Sequence, residues 1–194
     1  MNRVSILFTV FLFVFAVAVS NARATDFTIG STIENFTLPD INNVERSFND
    51  LKGEKGTLVV FLSAQCPVVK AYNDRLNQVV ADYKAKGINF IGINSNSSES
   101  MESVKSHAEE NYQFTMLIDK GNVIADKFKA SATPEIFFFD RDGKLAYHGA
   151  IDNDRRGDNI TSTFLRDALN EYLSGKAIKR SETKAFGCTI KRKE

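Results

Sequence analysis

Residues 61–70 read FLSAQCPVVK, and this stretch decides the fold. The apolar residues 57–62 predict a buried strand, whereas the residues after Cys66 have helical periodicity. Cys66 therefore lies where a strand ends and a helix begins. Unpaired backbone N–H groups and the helix dipole at such a junction favour the thiolate, which is the reactive form of cysteine.

The helix after Cys66 is predicted to begin at Pro67, because the missing N–H of proline costs nothing at the first helical position. It is predicted to end at Gly87. Apolar residues recur in it at spacings of three and four, namely Val68, Tyr72, Leu76, Val79, Val80 and Tyr83. This pattern predicts a long helix with one buried face.

Strands and helices alternate through the rest of the chain. After the first strand and helix we expect strands at 88–94 and 114–118, a polar helix to about 111, a short helix at 122–128, strands at 135–139 and 144–148, and a last helix at 162–174. Two short apolar pieces near residues 36–38 and 44–48 predict a hairpin in front. Strands joined by helices pair in parallel, and the closing hairpin adds antiparallel strands. The predicted fold is an α/β sandwich with a central mixed β-sheet flanked by helices and an N-terminal β-hairpin extension.

Residues 1–24 have the pattern of a secretory signal peptide. A short basic start precedes apolar residues 4–19, and residues 22–24 form an A-x-A cleavage pattern. The alternative is an uncleaved membrane anchor, since the apolar run is near the lower limit of about 17 residues for a spanning helix. The small-residue ending favours cleavage. We therefore expect an exported protein, periplasmic in a Gram-negative bacterium and otherwise secreted, that is not membrane-embedded after cleavage. Residues 25–194 are the predicted domain, and 176–194 its C-terminal tail.

The charge balance argues against nucleic-acid binding, because the sequence has 25 basic and 24 acidic residues and no basic stripe.

His107 and His148 have no metal-ligand spacing to a cysteine, and we expect both on the surface. Asp152 and Asp154 have no third ligand spaced with them, so a solvated loop is expected there. We predict no metal and no cofactor. The sequence gives no indication of oligomeric state.

The chain has two cysteines, Cys66 and Cys188. Outside the cytosol they could form a structural disulfide, a redox couple or two independent thiols. Val69 stands where a C-x-x-C motif starting at Cys66 would have its second cysteine. Without that neighbour Cys66 cannot store two electrons in a local disulfide, which argues against a generic disulfide reductase.

Three motifs together resemble the thioredoxin fold: the strand–Cys66–helix junction, Thr133-Pro134 before a strand, and the hairpin FFDRDGKL at 138–145. In thioredoxin-like proteins the proline at this place is cis and faces the active cysteine. More narrowly, CPVVKAY (66–72), ATPE (132–135), GAID (149–152) and FGCTIK (186–191) resemble peroxiredoxin-like redoxins of the alkyl hydroperoxide reductase/thiol-specific antioxidant superfamily. The resemblance covers residues 27–193.

The resemblance implies a thiol-dependent redox protein with Cys66 as the single nucleophile toward a peroxide or a disulfide. Cys188 or an external thiol would resolve the intermediate, and an external thiol reductant would be a partner. Ser63 would donate a hydrogen bond to the thiolate or the peroxide. The backbone at Thr133, before cis-Pro134, would hold the substrate.

Several residues depart from the family pattern. Val60 occupies the position of the acidic proton relay, and Val59 that of the proline in the peroxiredoxin motif. Arg75 lies more than two turns along the helix, and we expect it to be exposed or ion-paired rather than beside a peroxide.

These departures keep a second function open: a non-catalytic thioredoxin-fold binding module with a structural Cys66–Cys188 disulfide or idle thiols. Such a bridge across a long loop would stabilise the fold by about 4–5 kcal/mol.

Overall fold

The computed structural model describes residues 27–193. The predicted signal peptide, residues 1–24, lies outside this part of the chain. Between residues 27 and 193, no helix is both long enough and apolar enough to cross a membrane.

The described residues form five helices and nine strands. In chain order they are β1 Thr37–Pro39, β2 Glu45–Ser47, α1 Phe48–Leu51, β3 Gly56–Phe61, α2 Pro67–Lys84, β4 Ile88–Asn94, α3 Met101–Asn111, β5 Thr115–Ile118, α4 Val123–Phe128, β6 Ala132–Thr133, β7 Glu135–Asp140, β8 Leu145–Gly149, α5 Phe164–Leu173 and β9 Cys188–Thr189.

Five of the strands form the central sheet in the order β5-β4-β3-β7-β8. β3 pairs in parallel with β4, and β4 in parallel with β5, whereas β7 is antiparallel to both β3 and β8. The predicted α/β architecture with a mixed sheet is confirmed. The predicted N-terminal hairpin is also present as the antiparallel pair β1–β2.

β3 lies in the middle of the sheet, and all six of its residues are buried. Its side chains alternate between two apolar clusters because successive residues of a strand point to opposite faces. Leu58 and Val60 pack with α2 and α5, whereas Val59 and Phe61 pack with α4 and the N-terminal segment. Burial on both faces explains why the strand has a continuous apolar run.

α2 begins directly after Cys66, which is its N-cap residue, and Pro67 occupies its first turn. Gly87 adopts a positive φ of 90° beyond the end of the helix. One detail of the predicted apolar face is wrong, because Val69 is buried and Val68 is only half-buried. Val69 is three residues before Tyr72, so it lies on the same helix face.

The C-terminal tail after α5 runs back across the sheet edge that carries Cys66. β9 forms a two-stranded antiparallel sheet with β6, and the sequence did not predict either strand. Ile190, directly after β9, is buried in the cluster that also contains Phe61. The tail is therefore part of the packed structure.

We expect Phe137→Ala to lower the free energy of unfolding by about 3–5 kcal/mol, because a fully buried ring would leave a cavity. The ring packs against Phe61 and Phe128 at centroid distances of 5.6 and 5.2 Å. Urea denaturation with the disulfide intact measures the change. Val123→Ala, at a side chain that is 63% exposed, is the control and should change stability by less than about 0.5 kcal/mol. Equal effects of the two substitutions would contradict this account of the core.

Candidate active site

Cys66 and Cys188 are joined by a disulfide, with their Cα atoms 5.9 Å apart. This distance lies within the usual range for disulfides. Cys66 is 2% exposed, whereas Cys188 is half-buried. The sequence left three states of the cysteines open, and the structure excludes one of them, two independent thiols. The remaining alternatives are a structural bridge and a redox couple.

The pairing of β9 with β6 positions Cys188. Thr133 is the register partner of Cys188, and Ala132 that of Thr189. Gly187 lies against the backbone of Thr133, where a side chain would collide with the carbonyl group. A glycine is therefore required before Cys188 for the tail to approach this closely.

The Thr133–Pro134 peptide bond is cis. It follows β6 directly and brings the Thr133 carbonyl oxygen to within 3.3 Å of the Cys66 Sγ atom. The Thr133 hydroxyl donates a weak hydrogen bond to the Cys188 carbonyl oxygen at 3.4 Å. Cys66, Cys188, Thr133 and Pro134 therefore meet at one place.

The Ser63 hydroxyl donates its hydrogen bond to a carboxylate, whereas we expected it to donate to a thiolate or a peroxide. The acceptor is Glu99, at 2.5 Å, and a hydroxyl has a single proton to donate. The carboxylate of Glu99 also accepts hydrogen bonds from the backbone N–H groups of Ala64 (3.1 Å) and Gln65 (3.0 Å). Asn94 donates a further hydrogen bond to Glu99 at 2.6 Å. Ser63 thus helps to hold the loop that leads into Cys66.

Sequence reasoning missed Glu99, because it lies 36 residues after Ser63 in a polar segment that predicts only a helix N-terminus. Its carboxylate binds three consecutive residues of the active-site loop. Only tertiary structure brings the β4–α3 connection over that loop.

A second buried carboxylate fixes the segment on the other side of the disulfide. Glu135, which is 3% exposed, accepts hydrogen bonds from the backbone N–H groups of Ser131 (2.7 Å) and Ala132 (2.9 Å). Its other oxygen lies 2.7 Å from Nε2 of His148, and the imidazole stacks on Phe137 at 4.4 Å. His148 is thus half-buried and paired with a carboxylate, where we expected a surface histidine, and Glu135 holds β6 in place for pairing with the tail.

Arg75 is ion-paired, in agreement with the sequence expectation. It contacts Asp152 at 2.5 Å, and Asp152 also accepts a 2.8 Å hydrogen bond from the Tyr72 hydroxyl. Burial raises the pKa of Tyr72 above its usual value, and this hydrogen bond raises it further. The expectation of a solvated loop is wrong for Asp152, which is 4% exposed because Arg75 and Tyr72 cover it. Within residues 27–193, no three His, Cys, Asp or Glu side chains come together as ligands for a metal ion.

The tail packs on this ion-pair cluster before it reaches the disulfide. The ring of Phe186 lies 6.4 Å from that of Tyr72 and 5.4 Å from the guanidinium carbon of Arg155. Three consecutive tail residues therefore contact the rest of the domain: Phe186 through its ring, Gly187 against the Thr133 backbone, and Cys188 through the disulfide. These contacts keep Cys188 beside Cys66.

Comparisons with known proteins show the family and the fold of the chain. The sequence model of the AhpC/TSA family matches residues 29–148. The thiol-disulfide oxidoreductase ResA of Bacillus cereus is 29% identical over 118 residues, which are 60% of this chain and 66% of that protein, just under two thirds of its length.

Two solved structures are similar along most of their length. An uncharacterized conserved protein from Geobacillus kaustophilus has a TM-score of 0.80 and 32% identity, covering 86% of this chain and 93% of that one. A hypothetical protein from Sinorhizobium meliloti has a TM-score of 0.79 and 30% identity, covering 87% and 97%. The expected thioredoxin-like fold is thereby confirmed, and the chain belongs to the AhpC/TSA family.

Proposed function

We propose that this protein is an exported thiol–disulfide oxidoreductase whose redox couple is Cys66 and Cys188. The observation that carries the proposal is the place of the disulfide, which joins the N-cap of α2 to a strand paired with the residue before cis-Pro134. The helix N-terminus favours the thiolate of Cys66 once the bridge opens. Export fits the bridge, since disulfides persist in oxidising compartments.

Reduction of the bridge would begin at Cys188. An incoming thiolate reaches this cysteine more easily, because Cys188 is half-buried and Cys66 is 2% exposed. The new S–S bond forms on Cys188, the Cys66–Cys188 bond breaks, and Cys66 leaves as a thiolate. A second thiolate then attacks the mixed disulfide, releasing the reduced protein and an oxidised partner. The same steps in reverse would reduce a partner's disulfide and close the Cys66–Cys188 bridge again.

Peroxide is the second oxidant that we consider. The Cys66 thiolate would attack a peroxide oxygen, giving a sulfenic acid and an alkoxide or hydroxide that takes up a proton. The Cys188 thiol would condense with the sulfenic acid, forming the disulfide and water. Membership of the AhpC/TSA family and a resolving thiol within bonding distance support this reaction. The reaction with peroxide would need an arginine beside the peroxide, but Arg75 is bound to Asp152. We therefore place disulfide exchange ahead of peroxide reduction.

The competing function is a binding module with a purely structural bridge. Trapping experiments on Cys66→Ser and Cys188→Ser separate the two functions. We expect Cys188→Ser to form a lasting mixed disulfide on Cys66 with oxidised glutathione at neutral pH, at least tenfold faster than Cys66→Ser forms one on Cys188. The reason is the greater thiolate fraction at the helix N-terminus. Mass spectrometry after acid quenching measures the rates.

Reduction of the wild-type disulfide by dithiothreitol provides the control. We expect it to proceed in the native protein, without the loss of near-ultraviolet circular dichroism that accompanies unfolding. A bridge that opens only at the rate of global unfolding would support the structural function and refute ours. If hydrogen peroxide oxidises the reduced protein no faster than it oxidises free cysteine, the peroxidase reaction is excluded, while disulfide exchange is unaffected.

Gly187→Val tests whether the tail must lie close to Thr133. The added side chain would collide with the Thr133 carbonyl, so we expect the equilibrium constant for closing the disulfide to fall at least tenfold. Redox titration with glutathione measures that constant. The control is Lys184→Val, at an exposed residue of the same tail, which should leave it unchanged. Unchanged closure in Gly187→Val would contradict the proposed docking.

Glu99→Gln tests the support of the active-site loop. A neutral amide cannot replace all the hydrogen bonds that the carboxylate accepts from residues 63–65, and we expect stability to fall by about 1–3 kcal/mol. We also expect the rate of Cys66 alkylation in Cys188→Ser to change at least threefold. Glu102→Gln, at an exposed residue in the first turn of α3, is the matched control. Equal behaviour of the two variants would show that Glu99 does not hold the loop.

A further inference from the structure

Four side chains between α2 and α3 form a closed ring of hydrogen bonds. Asn73 belongs to α2, His107 and Asn111 belong to α3, and Tyr112 follows α3 directly. Asn73 and Tyr112 are buried, and His107 is half-buried where we expected a surface histidine. Asn77 of α2 adds a 2.7 Å hydrogen bond to the Asn111 carbonyl oxygen. The ring therefore joins the middle of α2 to the end of α3.

One backbone carbonyl group fixes the direction of the hydrogen bonds in the ring. The carbonyl oxygen of His107 can only accept, and it lies 2.8 Å from the side-chain nitrogen of Asn111. The side-chain oxygen of Asn111 therefore accepts from the Asn73 amide at 2.8 Å. The Asn73 oxygen in turn accepts from the Tyr112 hydroxyl at 2.7 Å. Turning either amide over would bring two acceptor oxygens together.

These directions require His107 to be neutral, with its proton on Nε2. The Tyr112 hydroxyl donates its single proton to Asn73, so its oxygen accepts from the Nε2–H group of His107 at 3.3 Å. The Nδ1 atom lies 3.2 Å from the Asn111 nitrogen and accepts from it. A second proton on Nδ1 would place two donors against each other. The ring is therefore compatible with one protonation state of His107 only.

We propose that this ring is a pH-sensitive clamp between α2 and α3, closed while His107 is neutral and opened when its Nδ1 atom takes up a proton. Charged groups act on His107 from three elements: Lys70 on α2, Glu110 on α3 and Glu99 on the β4–α3 connection. Burial lowers the pKa of His107 below its usual value, and the positive charge of Lys70 lowers it further. The two carboxylates act in the opposite direction, each with a smaller effect.

The lowered pKa gives the sign of the pH dependence. Above about pH 6.5, the ordinary pKa of histidine, His107 is neutral in the folded and the unfolded chain, and the clamp contributes fully to stability. As the pH falls below that value, the unfolded chain binds a proton that the folded chain resists. The contribution of the clamp is therefore lost in acid, as the pH falls toward the lower pKa of the folded state.

The clamp connects the two helices that flank the active-site loop. α2 begins directly after Cys66, and α3 begins two residues after Glu99, whose carboxylate binds residues 63–65. Opening the ring frees the end of α3 from α2, so we expect Glu99 to hold the loop less firmly in acid. The clamp itself does not depend on the proposed redox function.

Nuclear magnetic resonance of the oxidised protein tests the clamp, and the assignment is simple because the chain has only two histidines. We expect the ring nitrogen shifts of His107 to show the Nε2–H tautomer at neutral pH and a protonation midpoint below about 6.5. Exchange of the Asn73 and Asn111 side-chain amide protons with solvent, corrected for its intrinsic pH dependence, should become at least tenfold faster once His107 is protonated.

His107→Leu removes the group that titrates, so the exchange rates of these amide protons should no longer respond to pH. Glu109→Gln, an exposed change on the same helix, is the matched control and should respond as the wild-type protein does. Near-ultraviolet circular dichroism checks that both variants are folded. If His107→Leu is not, the measurements on the wild-type protein decide.

An Nδ1–H tautomer at neutral pH, or a midpoint at or above that of free histidine, would overturn the proposal. Equal exchange before and after protonation of His107 would overturn it as well, as would an undiminished response in folded His107→Leu. The backbone amide protons of Ala64 and Gln65, which Glu99 binds, report on the active-site loop. If their protection is the same above and below the midpoint, the effect on the loop is refuted, while the clamp and the redox function stand.

Discussion

The antiparallel contact between β9 and β6 is the interaction on which the site depends. It is only two residue pairs long, yet it sets Cys188 opposite Thr133 and within bonding distance of Cys66. Contacts on both sides support it: Phe186 on Tyr72 before it and buried Ile190 after it. The disulfide is therefore a tertiary contact of the tail, unlike a local C-x-x-C bridge.

Much of the fold could be predicted from the sequence, because its main elements have strong local patterns. The continuous apolar run of β3, the periodicity of α2 and the turn after β7 each specify one kind of element. The mixed sheet follows from their order along the chain. β6 and β9 escaped prediction because two-residue strands carry no periodicity, and their pairing is made by distant parts of the chain.

The candidate site was only half predictable for the same reason. Cys66 and Pro134 lie in local motifs, and Cys188 is the second of the two cysteines in the sequence. Glu99 and Glu135 belong to no motif, because their work is to accept backbone hydrogen bonds from residues that the fold brings to them. The resemblance implies that Ser63 donates to the sulfur or the peroxide, whereas its hydroxyl donates to Glu99, because a carboxylate is the stronger acceptor. Asp152 looked solvated because its partner Arg75 comes from another element.

The equilibrium reduction potential of the Cys66–Cys188 bridge is the most direct test of the redox account. It can be measured on the native protein in glutathione buffers, with the two forms separated after alkylation. A redox couple should have a potential between about −270 and −120 mV, the range of thioredoxin-fold exchange proteins. A value below about −300 mV, typical of structural disulfides, would contradict the account.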